Sequence, residues 1–497
     1  MSVDTPGWVR DAIFYQIFPD RFASSPRVLK PGRLEPWDAA PTHDGFKGGD
    51  LRGIVEHLDY LDDLGVNALY LTPVFQSASN HRYHTYDYFE VDPLLGGTDA
   101  LRELLDAAHD RGMRLVLDGV FNHTGRGFWP FHHILETGAS SPYRDWFILD
   151  QERLEHGVPL VAYPPPDHEQ RAEGYEAWWG LPALPKLNTD HPDVRDYIFS
   201  VAEFWLQFGI DGWRLDVPTE IDDEGFWQEF RRRCRAVNPQ AYLVGEIWNV
   251  APDWLRGDRF DAVMNYPLAE AIMGFTAGAA LDLDVVRAHS TYSADLRPLT
   301  GTEFAQRLLE LTAAYDPSVI DVQLNLLGSH DAPRLRTVIG GDVVRVRMAT
   351  LLQMTLGGAP CIYYGDEIGM TGGNDPANRG GFRWNEAEWD TGLRESVRHL
   401  THLRLGEPGL RGREVRVAGA SDQAVAVERG SGASRFVVAL NAADAEARLD
   451  VSVDGDGVRG LDGVPLPGFE EVAGSAVTDG RATLVLPPRS GALFRVV

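Results

Sequence analysis

The sequence predicts an α/β fold: a (β/α)8 TIM barrel with a small domain inserted after its third strand and a C-terminal antiparallel β domain. Three observations predict it. Eight short apolar segments alternate with amphipathic stretches between about residues 11 and 370. The alternation breaks once, across 121–188, where the chain turns aromatic, Pro-rich and irregular (YPPPDH, EAWWGLPALP). Past about residue 410 the apolar pattern changes to period two, with turn residues between the runs. Eight strands with intervening helices imply a parallel sheet, and closure is the simplest arrangement of eight.

Ala12–Phe18 (AIFYQIF) is the first strand candidate. A helix follows, with Leu51, Ile54, Val55, Leu58, Leu61 and Leu64 on one face and Gly65 just past its end as a C-cap. Ala68–Leu71 is the second strand, and Leu101, Leu104, Leu105 and Ala108 mark a helix that stops at Gly112. Leu115–Gly119 is the third strand. After the irregular stretch the pattern resumes with a helix over 192–208, opened by Pro192 in its first turn. The remaining strands are Gly212–Val217, Tyr242–Ile247, Ala262–Tyr266, Leu324–Leu327 and Pro360–Tyr364. The chain therefore divides into a catalytic barrel of 1–120 with 189–405, an inserted domain of 121–188 and a C-terminal β-sandwich of 406–497.

The 497 residues carry 73 acidic against 46 basic side chains, a formal net charge of −27. Such a surface repels phosphate backbones and anionic membranes, so nucleic acid and lipid are not expected partners. A neutral substrate is compatible with it. Lysine occurs three times, as Lys30, Lys47 and Lys186. Two cysteines, Cys234 and Cys361, exclude a disulfide scaffold, and no Cys/His spacing suits zinc. The N-terminus (MSVDTPGWVRD) has no apolar core of a signal peptide, and no run approaches about 18 apolar residues. A cytoplasmic monomer or weak homodimer is the expectation.

Acidic residues fall where a barrel puts its chemistry. Asp118 ends the third strand, Asp216 the fourth and Glu246 the fifth, and Asp331 follows the seventh. Barrel active sites lie at the C-terminal ends of the strands, so four carboxylates converge on one mouth. A single Asp in such a loop is commonly a helix N-cap; four at matching positions, each with an Arg or His close by, point to chemistry. Glycoside hydrolysis needs paired carboxylates, one ionised and one able to donate a proton. Arg214 lies two residues before Asp216 on the same strand face, so its charge is expected to hold Asp216 ionised. Glu246 lies beside Ile247 and Trp248, a drier setting that favours its protonated form.

The motifs DGVFNH (118–123), LPKLN (184–188), GWRLDV (212–217), GEIW (245–248) and GSHD (328–331) stand in the order of the α-amylase family, glycoside hydrolase family 13. GVNALYLTPVF (65–75) and GAPCIYYGDEIGM (358–370) also resemble that family, over about residues 8–400. The resemblance implies Asp216 as nucleophile, Glu246 as acid/base and Asp331 as a third carboxylate that grips sugar hydroxyls. It implies sugar contacts for His123, Arg214 and His330 and an aromatic platform at Tyr83. Asp118 organises the mouth on this reading.

LPKLN, and Glu220 four residues past Asp216, resemble the neopullulanase, cyclomaltodextrinase and maltogenic amylase group. That group typically has an N-terminal β domain that pairs subunits, whereas here the first barrel strand begins near residue 11. VPTE also departs from the group, which more often has Asn before the Glu. Glu220 and Trp248 are expected beyond the cleaved bond, with Trp248 stacking on a sugar face. Many relatives hold calcium between barrel and inserted domain; here Asn122 is kept but Lys186 stands where a carboxylate ligand would. An ammonium has no lone pair to offer a cation. Lys186 is therefore expected to replace the ion, catalysis to need no metal or other cofactor, and EDTA to leave activity unchanged. The predicted reaction is hydrolysis of α-1,4 bonds in maltooligosaccharides, cyclodextrins, starch or pullulan. A 4-α-glucanotransferase using the same triad is the alternative, and a non-catalytic barrel subunit a remote one.

Overall fold

The computed structural model describes residues 3–167, 169–453 and 460–497. Eight parallel strands form the first sheet: β1 (Phe14–Ile17), β2 (Ala68–Leu71), β3 (Arg114–Gly119), β4 (Gly212–Leu215), β5 (Tyr242–Gly245), β6 (Ala262–Val263), β7 (Leu324–Leu326) and β8 (Ala359–Tyr363). Their order is β6-β5-β4-β3-β2-β1-β8-β7. A parallel bridge between Met264 and Leu324 joins the two ends. There the Asn265 amide donates to the Leu324 carbonyl at 2.8 Å, so the barrel closes. Every residue of β1, β2, β4 and β5 is buried, as expected of strands covered on both faces.

Helices on the outside connect these strands. They include α1 (Gly97–Asp110), α2 (Pro192–Phe208), α3 (Glu224–Val237), α4 (Tyr266–Ala277) and α5 (Val343–Thr355). Helix α2 has the predicted bounds: Pro192 opens it and Gly209, at φ +116°, closes it. The helix expected across 51–64 is instead two short ones, Leu51–Val55 and Leu58–Asp63. His57 leaves the helical region at φ −120° and ψ 14°. Its ring packs 3.8 Å from Trp384, a long-range contact that no local spacing encodes. The sixth strand is shorter than expected because α4 already begins at Tyr266, with proline in its first turn.

The loop after β1 is pinned by two lysines. Buried Lys47 donates from Nζ to the carbonyls of Pro36 and Ala39, 2.7 Å each, and lies 3.4 Å from Glu35. Lys30 Nζ donates to Asp50 at 3.0 Å and to the Leu94 carbonyl at 2.7 Å. Burial pushes the pKa of both ammonium groups down.

Between β3 and α2 the chain forms a compact excursion around Phe131, whose ring lies 4.9 Å from both Phe147 and Tyr175. Isolated bridges tie it together: His123 to Lys186 just past the end of β3, and Ala177 to Pro185 within it. A separate hairpin of Phe75–Ser77 with Thr85–Val91 follows β2 and carries Tyr83 in its turn.

The C-terminal strands are β9 (Val415–Ala420), β10 (Ala424–Ser431), β11 (Ser434–Asn441), β12 (Ala447–Ser452), β13 (Gly460–Val464), β14 (Ser475–Ala476), β15 (Arg481–Leu486) and β16 (Ser490–Val496). They form an antiparallel sheet in the order β9-β10-β11-β16-β13-β14 and a pair, β12-β15. Val437 and Ala439 face Leu449, Val451 and Leu484 of that pair, whereas Phe436, Val438 and Leu440 join the core of the barrel. Strand β11 is therefore buried on both faces, and the β domain is seated on the barrel through it. No helix among the described residues is long and apolar enough to cross a membrane.

Candidate active site

The mouth is organised around Arg214. Asp118 on β3 and Arg214 on β4 are register partners, so their side chains emerge side by side. Gly212, two residues earlier, lets β5 approach: a Cβ there would lie 2.2 Å from the Tyr242 carbonyl oxygen. The ladders continue one residue past the strands, since the Asp216 amide donates to Gly119 and the Glu246 amide to Leu215. Those bonds fix the two carboxylates at adjacent strand ends.

Arg214 Nη1 donates to Asp118 Oδ1 and to Asp216 Oδ1, 2.9 Å each. Its Nη2 lies 3.0 Å from Glu246 Oε2 and 3.8 Å from Asp331 Oδ2. The structure thus brings all four predicted carboxylates to one guanidinium that is fully buried. Asp118 also accepts from Tyr70 Oη at 2.7 Å and Tyr83 Oη at 2.9 Å, in keeping with an organising part.

Arg214 does not serve Asp216 alone, and this corrects the expectation from sequence. Burial pushes Asp216 well above the usual carboxylate range despite Arg214, whose charge is divided among its neighbours. Burial also raises Glu246 against the same opposing guanidinium. Burial thus works against the charged form of both carboxyls, and Arg214 works for it. Glu246 accepts from the Val217 amide at 3.1 Å and from Trp248 Nε1 at 3.2 Å. That amide belongs to a strained residue, since Val217, next to Asp216, sits at φ +36° and ψ 51°. A β-branched side chain rarely adopts that region, and such strain gathers at functional sites.

Asp331 is treated oppositely. Burial would raise it, but the adjoining His330 ring, 3.0 Å away, and Arg379, at 3.3 Å, outweigh burial and hold it well below the usual range. Arg379 comes from a loop near residue 380 and carries no motif, so the sequence reading missed it. Its Nε also donates to the His330 carbonyl at 2.8 Å. His330 is held on its other side by Gln16, Nε2 to Nδ1 2.7 Å. The Tyr83 ring lies parallel to that of His330, 5.4 Å centre to centre, and its hydroxyl is hydrogen-bonded to His330 Nε2.

His123 lies at the edge of this group. The Tyr88 hydroxyl anchors its carbonyl at 3.0 Å. Burial drives the ring down to about 3, with His84 and Lys186 adding to the effect, so the imidazole is neutral. Its Nε2 is buried and finds no partner among the described residues. A neutral nitrogen left unpaired is a costly feature unless a ligand satisfies it.

Lys186 and Glu220 form an ion pair, Nζ to Oε2 3.7 Å, with Glu220 44% exposed. Lys186 makes no hydrogen bond to Asn122 here; the junction is joined by backbone, the Leu187 amide donating to the Asn122 carbonyl at 3.0 Å. The expected ion-replacing role is thus modified: the ammonium faces Glu220 on the rim. Trp248 is half-buried and stacks on Tyr266 with centres 3.5 Å apart, so one of its faces is already covered. Among the described residues no group of three or more His, Cys, Asp and Glu side chains is arranged to hold a metal ion.

Comparison with known proteins agrees with this geometry. Residues 16–403 match the family model "Alpha amylase, catalytic domain". A cyclomaltodextrinase of Geobacillus thermopakistaniensis is 42% identical over 495 residues, covering 99% of this chain and 78% of its own. The structure of Ttha1563 from Thermus thermophilus superposes with a TM-score of 0.90 at 48% identity, over 99% of this chain and all of that one. A debranching enzyme from Nostoc punctiforme superposes at 0.87 and 45% identity, over the whole of both chains. With four carboxylates gathered on Arg214 at the mouth of a closed barrel, the chain belongs to the α-amylase family of glycoside hydrolases.

Proposed function

We propose that this protein hydrolyses α-1,4 bonds of maltooligosaccharides and related α-glucans with retention of anomeric configuration. The observation that carries the reading is the binding of Asp216 and Glu246 to the two terminal nitrogens of one buried guanidinium. Asp216 attacks the anomeric carbon as Glu246 gives its proton to the departing oxygen, leaving a glycosyl ester on Asp216. Glu246, now ionised, takes a proton from water, whose oxygen attacks the same carbon and releases Asp216. The cycle needs Asp216 ionised and the proton on Glu246 at the start, and Glu246 regains a proton at the end. Asp331, kept ionised by His330 and Arg379, is suited to accept hydrogen bonds from sugar hydroxyls and to face the positive charge of the transition state. His123 Nε2 offers a further partner for a hydroxyl.

Attack by a second sugar in place of water would make the chain a 4-α-glucanotransferase. A reading that adds α-1,6 cleavage is favoured by the likeness to the Nostoc debranching enzyme along the whole of both chains. One product profile separates these: incubation with maltotriose, β-cyclodextrin, pullulan and starch. Shorter maltooligosaccharides with the α anomer released first, by NMR, are the expected result. Products longer than maltotriose indicate transfer, panose-free cleavage of pullulan to maltotriose indicates α-1,6 activity, and a first β anomer overturns retention.

A further inference from the structure

A ladder of aromatic rings leads out of the site. His123, at its inner end, lies parallel to Trp178 with centres 5.2 Å apart. Trp178 in turn stacks on Trp179 at 4.3 Å and 12°. Both faces of Trp178 are therefore occupied, and the open face of the ladder belongs to Trp179, which is 77% exposed.

The backbone holds Trp179 there at a cost. The residue sits at φ +53° and ψ 17°, a conformation that side chains with a Cβ rarely take. Hydrogen bonds fix the turn on either side: Trp178 N to Leu184 O at 3.0 Å, Gly180 N to Ala177 O at 2.9 Å, and Leu181 N to Trp178 O at 3.0 Å. An over-determined turn that presents an exposed indole is a pattern of functional strain. The inner end of the ladder is part of the cleavage site itself, through His123, whose buried Nε2 finds no partner among the described residues.

We infer that Trp179 is a glucosyl-stacking platform outside the cleavage site, held off His123 by Trp178, and that it selects longer α-glucans over shorter ones. A pyranose presents a flat face of C–H groups, which suits the apolar, electron-rich face of an indole. This inference rests on the α-glucan hydrolase reading. The ladder runs from a ring at the mouth to one at the surface, so a chain lying along it reaches Trp179 only if it extends beyond the bond being cut.

The test is steady-state kinetics of the full chain and its Trp179→Ala and Trp179→Phe variants on maltotriose and maltoheptaose, with solution mass measured for each. Trp179→Ala should lower kcat/KM for maltoheptaose about 5–10-fold, through KM, as loss of one aromatic stacking contact implies. Its kcat/KM for maltotriose should stay within about two-fold, and Trp179→Phe should keep most of the maltoheptaose rate. An equal loss on both glucans, an unchanged maltoheptaose KM, or a wild-type dimer that Trp179→Ala dissociates would overturn the inference. If the wild type releases product from neither glucan, the functional reading fails and this inference with it. If it releases product and the ratio of the two glucans does not move, this inference alone fails.

Discussion

The floor of the barrel mouth and its rim solve opposite problems. On the floor, Asp118, Asp216, Glu246 and Asp331 surround Arg214 where side-chain exposure ranges from 0 to 29%. On the rim, Lys186 faces Glu220, and Trp179 stands in solvent. A buried charge that loses its partner costs several kcal/mol, whereas an exposed pair contributes about 0–1 kcal/mol. The floor is thus fixed by electrostatics and leaves little room for change. The rim can vary at low cost.

The comparison breaks first at the floor. Asp216→Asn and Glu246→Gln should each lower kcat/KM by several orders of magnitude, because the two groups act as one unit. Near-normal turnover in either variant, measured with maltotriose, would show that the chemistry lies elsewhere.

Arg379→Gln should have a smaller and differently shaped effect. Arg379 helps to keep Asp331 ionised, so its loss raises the pKa of that carboxyl. The sign is fixed: a carboxylate held low is fully ionised down to acid pH, and one released from its cation begins to take up protons sooner. Asp216 takes up its proton first as pH falls, so in the variant the acid limb of the kcat/KM profile should begin where it does in the wild type and then fall more steeply as Asp331 follows, with the alkaline limb in place. A uniform drop at every pH would mean that Arg379 merely supports the fold.

Glu220→Ala should change selectivity few-fold rather than abolish activity. The ratio of β-cyclodextrin to starch cleavage should shift, while melting changes by no more than about 1 kcal/mol, as befits an exposed ion pair. A lower Tm at an unchanged ratio would make the pair structural.

The smallest effect on activity belongs to Glu270, on α4, which makes no ion pair with the four carboxylates' guanidinium. Burial pushes it up to about 7, with Asp295 adding to the effect. A carboxyl that prefers its proton when folded penalises folding as pH rises from its unfolded value of about 4.3. Glu270→Gln removes that penalty. It should raise Tm above pH 7, by at most about 3 kcal/mol in stability, and leave Tm unchanged at pH 4. A gain that is equal at both pH values would rule out this cause.

Much of the floor was legible because strand parity and strand ends are sequence features. Arg214 and Asp216 share a face by their spacing, Asp118 and Glu246 each close a strand run, and Asp331 follows one. The barrel and its order followed from the same alternation. What remained hidden depends on long-range geometry. Nothing local says that Arg379 crosses to Asp331, that His57 breaks a helix to meet Trp384, or that Val217 and Trp179 take left-handed conformations. The division of Arg214 among its neighbours was hidden too, and with it the upward direction for Asp216. Strand β11 illustrates a further limit: its unbroken apolar run from Phe436 to Leu440 marks a strand buried on both faces, but not which face meets the barrel and which the β12-β15 pair.

The lysines described above have a practical consequence. All three are engaged: Lys47 is enclosed by carbonyls, Lys30 is bound to Asp50 and the Leu94 carbonyl, and Lys186 faces Glu220. Amine-directed reagents, whether fluorescent esters, aldehyde resins or bifunctional crosslinkers, meet a surface whose positive charge is almost wholly guanidinium. Attachment of this enzyme to a support through its amines is accordingly confined to very few points, and carboxyl-directed coupling is the richer chemistry on a chain with 73 acidic residues.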